Sequence, residues 1–140
     1  MNKIPRILVV DDDDTIRTTM KAILQDEGYT VDLASTGKEA IQKSLQNNYN
    51  VALLDIRLPD MEGIELLKLL KDSVPRTRKI MVTGYPSLQN AISALNKNAD
   101  AYLLKPVDVE KLLNTVKQQL EAQENELKFS EQKVAEFIES

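Results

Sequence analysis

Val51-Ala52-Leu53-Leu54 is an apolar run with no polar residue alternating through it, and it stops at Asp55. An alternating strand can leave one face in water. A run of this kind needs cover on both faces, the condition of a buried strand in a parallel sheet. Past Asp55, the residues Pro59, Asp60 and Gly63 are loop formers. A carboxylate at the carboxyl end of such a strand stands where open α/β sheets place their ligand crevices. By itself an aspartate there more often ends a strand or caps a turn, so the rest of the chain has to decide its role.

The remaining sequence repeats the pattern. Arg6 to Val10 is a β-branched run ending at four consecutive aspartates, Asp11 to Asp14. Ile16, Met20, Ile23 and Leu24 then recur at helical spacing, and Gly28 is the natural helix terminator. Thr30 to Ala34 reads as a second strand. Thr36 to Glu39 has capping-box spacing and opens a second helix, with Ala40, Ile41, Ser44 and Leu45 on its inner face. Beyond the central strand, Glu62 to Lys71 is predicted helical with Ile64, Leu67 and Leu70 inward. Lys79 to Val82 is predicted a strand ending at Thr83-Gly84. Ser87 to Asn96 is predicted a fourth helix, with Leu88, Ala91, Ile92 and Leu95 inward. Ala101 to Leu104 is a fifth strand ending at Lys105-Pro106, and a last helix begins near Asp108. Five strands alternating with five helices predict an α/β fold with a doubly wound parallel sheet.

Composition narrows the chemistry. The 140 residues suit one domain with a real core, and a net charge of -4 offers no basic face for direct nucleic-acid binding. No stretch is long and apolar enough to span a membrane, and the first residues lead into a strand rather than a signal peptide. With no cysteine either, a cytoplasmic location is expected. The absence of histidine removes histidine-based triads, histidine-ligated zinc and histidine acid–base catalysis. If a phosphohistidine takes part, it belongs to a partner.

Parallel strands put their carboxyl ends on one edge, so Asp11, Asp12, Asp55, Thr83 and Lys105 are predicted to converge. Asp13 or Asp14 is the natural cap of the first helix. Crowded carboxylates about 4 Å apart repel by about 4 kcal/mol at an effective dielectric near 20. They must protonate, splay apart or share a cation. An all-oxygen donor set favours a hard ion, Mg2+ before Ca2+ or Mn2+. With Mg2+ on Asp11 and Asp12, Asp55 is left as the nucleophile for phosphoryl transfer, and Lys105 and Thr83 neutralise developing charge.

At these residues the chain resembles the receiver domain of two-component response regulators. The matching pieces are VVDDD at 9–13, LLDIRLPDMEG at 53–63, MVTGY at 81–85 and DAYLLKP at 100–106, within a resemblance spanning Lys3 to Gln119. The resemblance implies a flavodoxin-like sheet in the order 2-1-3-4-5. It implies phosphotransfer to Asp55 from a sensor histidine kinase or a phosphotransfer protein. It also implies Mg2+ ligation by Asp11, Asp12, Asp55 and the backbone carbonyl of Arg57, a cis Lys105–Pro106 peptide, and a switch pair of Thr83 and Tyr102. On this reading the chain is a signalling switch rather than an enzyme: it catalyses only its own phosphorylation and dephosphorylation. Phosphorylation alters the face of helix 4, strand 5 and helix 5, while Arg57 and Tyr85 tune acyl-phosphate hydrolysis.

The receiver is expected over residues 1–120, with 121–140 a helical extension. Leu113, Leu120, Leu127 and Val134 recur every seven residues with Val116 and Phe137 as companions, interrupted by Gln123 and Ser130. This tail reads either as a linker to an output module or as a dimerising coiled coil. The helix 4–strand 5–helix 5 face is a second candidate for homodimer contact. Two other function classes remain beside the leading one. One is a receiver-like binding or dimerisation module that works without phosphate. The other is an aspartyl phosphatase, disfavoured because Arg57 stands where that chemistry wants a second acid.

Overall fold

The structure, a computed structural model, describes residues 3–71, 73–84, 87, 92–94 and 99–139. Five strands, β1 (Arg6–Val10), β2 (Thr30–Ala34), β3 (Val51–Asp55), β4 (Arg78–Thr83) and β5 (Ala101–Leu104), form one sheet in the order 2-1-3-4-5. Every pairing is parallel. The helices are α1 (Asp14–Asp26), α2 (Gly37–Gln46), α3 (Gly63–Leu69), α4, described over residues 92–94, and α5 (Val109–Glu139). This is the flavodoxin-like doubly wound fold.

The two faces of the sheet sort by alternation. Ile7, Val9, Val51, Leu53, Ile80, Val82 and Leu103 pack with Met20 and Leu24 of α1 and with Leu112 and Val116 of α5. Leu8, Val10, Ala52, Leu54 and Met81 pack on the other side with Ala40 of α2, with Leu66 and Leu67 of α3, and with Ala94. All five residues of β3 are buried, as an unalternating run requires.

The helix ends obey local chemistry. Asp13 is the N-cap of α1, its side chain accepting from the Ile16 N–H at 3.0 Å. Gly28 lies just past the end of α1 at φ 98°, a conformation that a side chain disfavours. Thr36 caps α2 by accepting from Glu39 N–H, while Glu39 reaches back to Ser35 N–H rather than to Thr36 itself.

Two inward assignments fail. Leu45 is 64% exposed and Ile92 49% exposed. Ala40 and Ser44, four residues apart, are the residues of α2 aimed at the sheet, so Leu45 falls on the flank of that stripe. Ile92 stands about 200° around the helix from buried Ala94. The other predicted inward residues of helix 4, Leu88, Ala91 and Leu95, lie outside the described residues.

The tail also differs from its heptad reading. Helix α5 has 31 residues, about 46 Å at 1.5 Å each. Leu113 and Leu120 pack on the chain's own core. Gln123, expected to interrupt a seam, is buried against the base of the sheet. Its Nε2 donates to the backbone carbonyls of Asn50 (3.1 Å) and Arg76 (2.8 Å), and its Oε1 accepts from Asn50 Nδ2 at 2.8 Å. Glu126, one turn on, pairs with Arg76 and Arg78. Beyond this point Val134, Phe137 and Ile138 are exposed, at 58%, 82% and 75%.

Replacing Gln123 with Ala strips partners from the Asn50 amide and from two carbonyls, an expected cost of about 1–3 kcal/mol by urea denaturation. Ser130→Ala, on the exposed part of α5, is expected to stay within about 0.5 kcal/mol of wild type.

Candidate functional site

The carboxyl ends of β1, β3, β4 and β5 carry Asp11, Asp55, Thr83 and Lys105. Asp11 comes directly after β1, and its N–H extends the ladder to the Ala34 carbonyl at 3.1 Å. Asp55 is the last residue of β3 and Thr83 the last of β4. Lys105 comes directly after β5 and donates its backbone N–H to the Thr83 carbonyl at 2.8 Å. The Lys105–Pro106 peptide is cis, as is Val74–Pro75.

Asp11, Asp55 and Thr83 are buried, whereas Asp12 is exposed. One oxygen from each of Asp11, Asp12 and Asp55 lies within 4.8 Å of the others. The Lys105 ammonium sits between the two buried acids, 2.7 Å from Asp11 Oδ2 and 3.2 Å from Asp55 Oδ2. Asp11 Oδ1 accepts from Asp13 N–H at 2.9 Å, and Asp55 Oδ1 accepts a longer bond, 3.3 Å, from Arg57 N–H.

This crowding sets the electrostatics. Burial raises the Asp55 carboxyl above the ordinary aspartate value and the Asp11 carboxylate raises it further, with Lys105 and the Arg57 N–H opposing. Burial by itself would lower the Lys105 ammonium, but Asp11 and Asp55 outweigh it and leave the lysine raised. The lysine is therefore a fixed positive charge, and the acids still outnumber it. A cluster of carboxylate oxygens at this spacing, one of them exposed, fits a hard divalent cation. Asp11, Asp12 and Asp55 are the residues able to hold it.

Tyr102 packs its ring against the core on the α2–α3 face. Its hydroxyl is buried with no hydrogen-bond partner among the described residues, and burial raises its pKa. A Cβ at Gly84 would lie in ordinary van der Waals contact with the Lys105 side chain, 3.8 Å from its Cβ. Tyr85 lies outside the described residues.

Three residues at the site have contacts the sequence did not foretell: Arg17, and Gly63 and Asp60, read there only as loop formers. Arg17 donates from Nη1 to the Asp11 backbone carbonyl at 2.8 Å while pairing with Asp14 at 2.7 Å. Its i+3 spacing from Asp14 was a signal for the second contact alone. Gly63 passes so close to the strand that a Cβ would fall 1.9 Å from the Asp55 carbonyl oxygen. Asp60 accepts from the N–H groups of Gly37 (2.8 Å) and Lys38 (2.9 Å), across to α2.

Known proteins are similar to this chain. Residues 7–117 match the family model described as the response regulator receiver domain. The transcriptional regulatory protein ZraR of Klebsiella oxytoca is 40% identical over 114 residues, which is 81% of this chain and 26% of that protein. The chain thus spans about a quarter of the length of such curated relatives. A CheY-like receiver domain from Methanospirillum hungatei superposes at a TM-score of 0.84 with 48% identity, covering 89% of this chain and 99% of the other. A Burkholderia pseudomallei response regulator, solved with a phosphorylated aspartic acid, calcium ion and citrate, is 30% identical at a TM-score of 0.76. That match covers 87% of this chain and 72% of the other.

Two substitutions test the geometry. Because Asp55's pKa is raised on folding, its ionised form opposes folding. Without divalent ions, Asp55→Asn is expected to be more stable than wild type to urea at neutral pH. As pH falls through the folded Asp55 value, the wild-type acid takes up its proton and the gap narrows. Gly63→Ala forces a methyl group into the Asp55 backbone and is expected to cost about 1–3 kcal/mol in the same assay.

Proposed function

The chain belongs to the response regulator receiver domain family of two-component signalling, and on that premise we propose that Asp55 accepts a phosphoryl group from the phosphohistidine of a sensor histidine kinase or phosphotransfer protein. The observation that carries this reading is the Lys105 ammonium bridging Asp11 and Asp55, with Asp12 close by. It leaves a nucleophilic carboxylate beside a fixed cation and a donor set suited to a second one.

In the proposed reaction an oxygen of the Asp55 carboxylate attacks phosphorus. The P–N bond to the donor's imidazole breaks, and its electron pair stays on that nitrogen. The product is an acyl phosphate on Asp55 and a free histidine on the partner. Mg2+ held by Asp11, Asp12, Asp55 and the Arg57 backbone carbonyl would neutralise charge on the phosphoryl oxygens. Lys105, already within 3.2 Å of Asp55, is placed to track the new negative charge. Thr83, at the adjacent strand end, supplies a hydroxyl to the same group. By the same logic, water attack on phosphorus returns the carboxylate, so the domain catalyses its own dephosphorylation and no separate turnover.

Readout is assigned to Thr83 and Tyr102. A buried phenol without a hydrogen-bond partner among the described residues forgoes a contact worth about 1 kcal/mol. The inward ring is therefore held by packing, and a modest change at Thr83 suffices to bias it between two states. The face changed would be that of α4, β5 and α5. That face, or the exposed Val134, Phe137 and Ile138 on α5, would serve a homodimer. The proposal places the chain in the cytoplasm, with no direct hold on nucleic acid at net charge -4. No helix among the described residues is long and apolar enough to cross a membrane.

Incubation with acetyl phosphate and Mg2+, followed by mass spectrometry, is expected to find one phosphoryl adduct on Asp55. None is expected in Asp55→Asn or with chelator. A wild-type protein that stays unmodified, or an adduct that persists in Asp55→Asn, contradicts the reading.

A further inference from the structure

The segment between Asp55 and α3 is a small hairpin. Its legs are joined by an Arg57–Glu62 bridge, by Gly63 N–H donating to the Ile56 carbonyl at 2.6 Å, and by Leu58 N–H donating to the Met61 carbonyl at 3.2 Å. The root is pinned against the Asp55 backbone, where Gly63 leaves no room for a Cβ. One leg carries Arg57, whose N–H donates to Asp55 Oδ1. The tip, Pro59-Asp60, is exposed and would be free to swing about that root if nothing held it.

Two contacts hold it. The Asp60 carboxylate accepts from Gly37 N–H through Oδ1 at 2.8 Å and from Lys38 N–H through Oδ2 at 2.9 Å. These are the first two amides of α2, which have no partner within their own helix. Thr36 Oγ1 covers the third, that of Glu39, at 3.1 Å. Next to Asp60, Met61 lies flush on Gly37: a Cβ there would come within 2.4–2.7 Å of its Sδ, Cγ and Cε. The amides also hold the Asp60 carboxyl below the ordinary aspartate range, so it keeps its charge to lower pH than an ordinary aspartate.

We propose that Asp60 is a positioning residue for the phosphoacceptor site, capping α2 across the fold and thereby holding the Arg57 leg at the geometry that Asp55 and the metal require. The inference rests on the reading of Asp55 and its neighbours as a Mg2+-dependent phosphoacceptor site. It adds a mechanical partner to that site, since a movement of α2 is transmitted to the Arg57 leg through Asp60.

The test compares wild type, Asp60→Ala, Asp60→Asn and Gln123→Ala by Mg2+ titration monitored by NMR, together with amide hydrogen exchange at Gly37 and Lys38. Asp60→Ala is expected to raise the Mg2+ dissociation constant about tenfold, the scale on which loss of an outer partner weakens a metal site. It is also expected to speed exchange at both amides. Asp60→Asn keeps one acceptor oxygen but faces the second amide with a donor, and is expected to fall between wild type and Asp60→Ala. Gln123→Ala, which loosens the opposite end of the sheet, controls for lost stability and is expected to leave Mg2+ affinity unchanged. Wild-type affinity in Asp60→Ala, or an equal loss in Gln123→Ala, overturns the inference while leaving the phosphoacceptor reading intact. A wild-type protein that takes up no Mg2+ overturns both.

Discussion

One ammonium between two buried carboxylates sets the terms for the rest of the molecule. Lys105 lies 2.7 Å from Asp11 and 3.2 Å from Asp55, with a third carboxylate, Asp12, alongside. Three acids against one lysine leave the edge under-neutralised, and burial of Asp11 and Asp55 keeps water from screening the deficit. Such a cluster works against the stability of the domain. The parallel sheet tolerates it because its core is continuous on both faces and its other end is well satisfied. The same deficit that strains the fold makes the site receptive to a divalent cation and to a phosphoryl group, whose charge Lys105 can track.

The base of the sheet is the counterpart of that edge. Asn50, immediately before β3, exchanges hydrogen bonds with Gln123 of α5 and accepts from Arg6 N–H at 2.9 Å. Asp100, before β5, takes a bidentate pair from Arg76 at 2.9 and 3.1 Å and accepts from Lys79 N–H at 2.8 Å. Strand β3 thus runs from a fully paired polar network at Asn50 to an under-neutralised one at Asp55.

Most of this plan was legible in the residues. Apolar runs marked most strands, and the polar residues at the ends of β1, β3, β4 and β5 lie together at one edge because parallel pairing brings those ends to the same side. The misreadings arose where contacts in the fold, not local pattern, decide which way a side chain faces. Gln123 looked like a flaw in a heptad because its partner Asn50 is 73 positions away. Leu45 and Ile92 were placed inward by helical spacing, although Ala40, Ser44 and Ala94 are buried residues of those helices. Gly63 and Asp60 were recognised as loop formers. Their particular duties, a close approach to Asp55 and a cap on α2, depend on backbone positions that local pattern does not encode.

Lys105 restrains the charge of Asp55 at a crowded strand edge. A carbon-detected NMR titration of the Asp55 carboxyl, in wild type and Lys105→Met without divalent ions, measures this directly. Asp55 is expected to titrate above an ordinary aspartate in the wild type and higher still once the ammonium is gone. An Asp55 that titrates like a solvent-exposed aspartate, and is indifferent to the loss of Lys105, would contradict it.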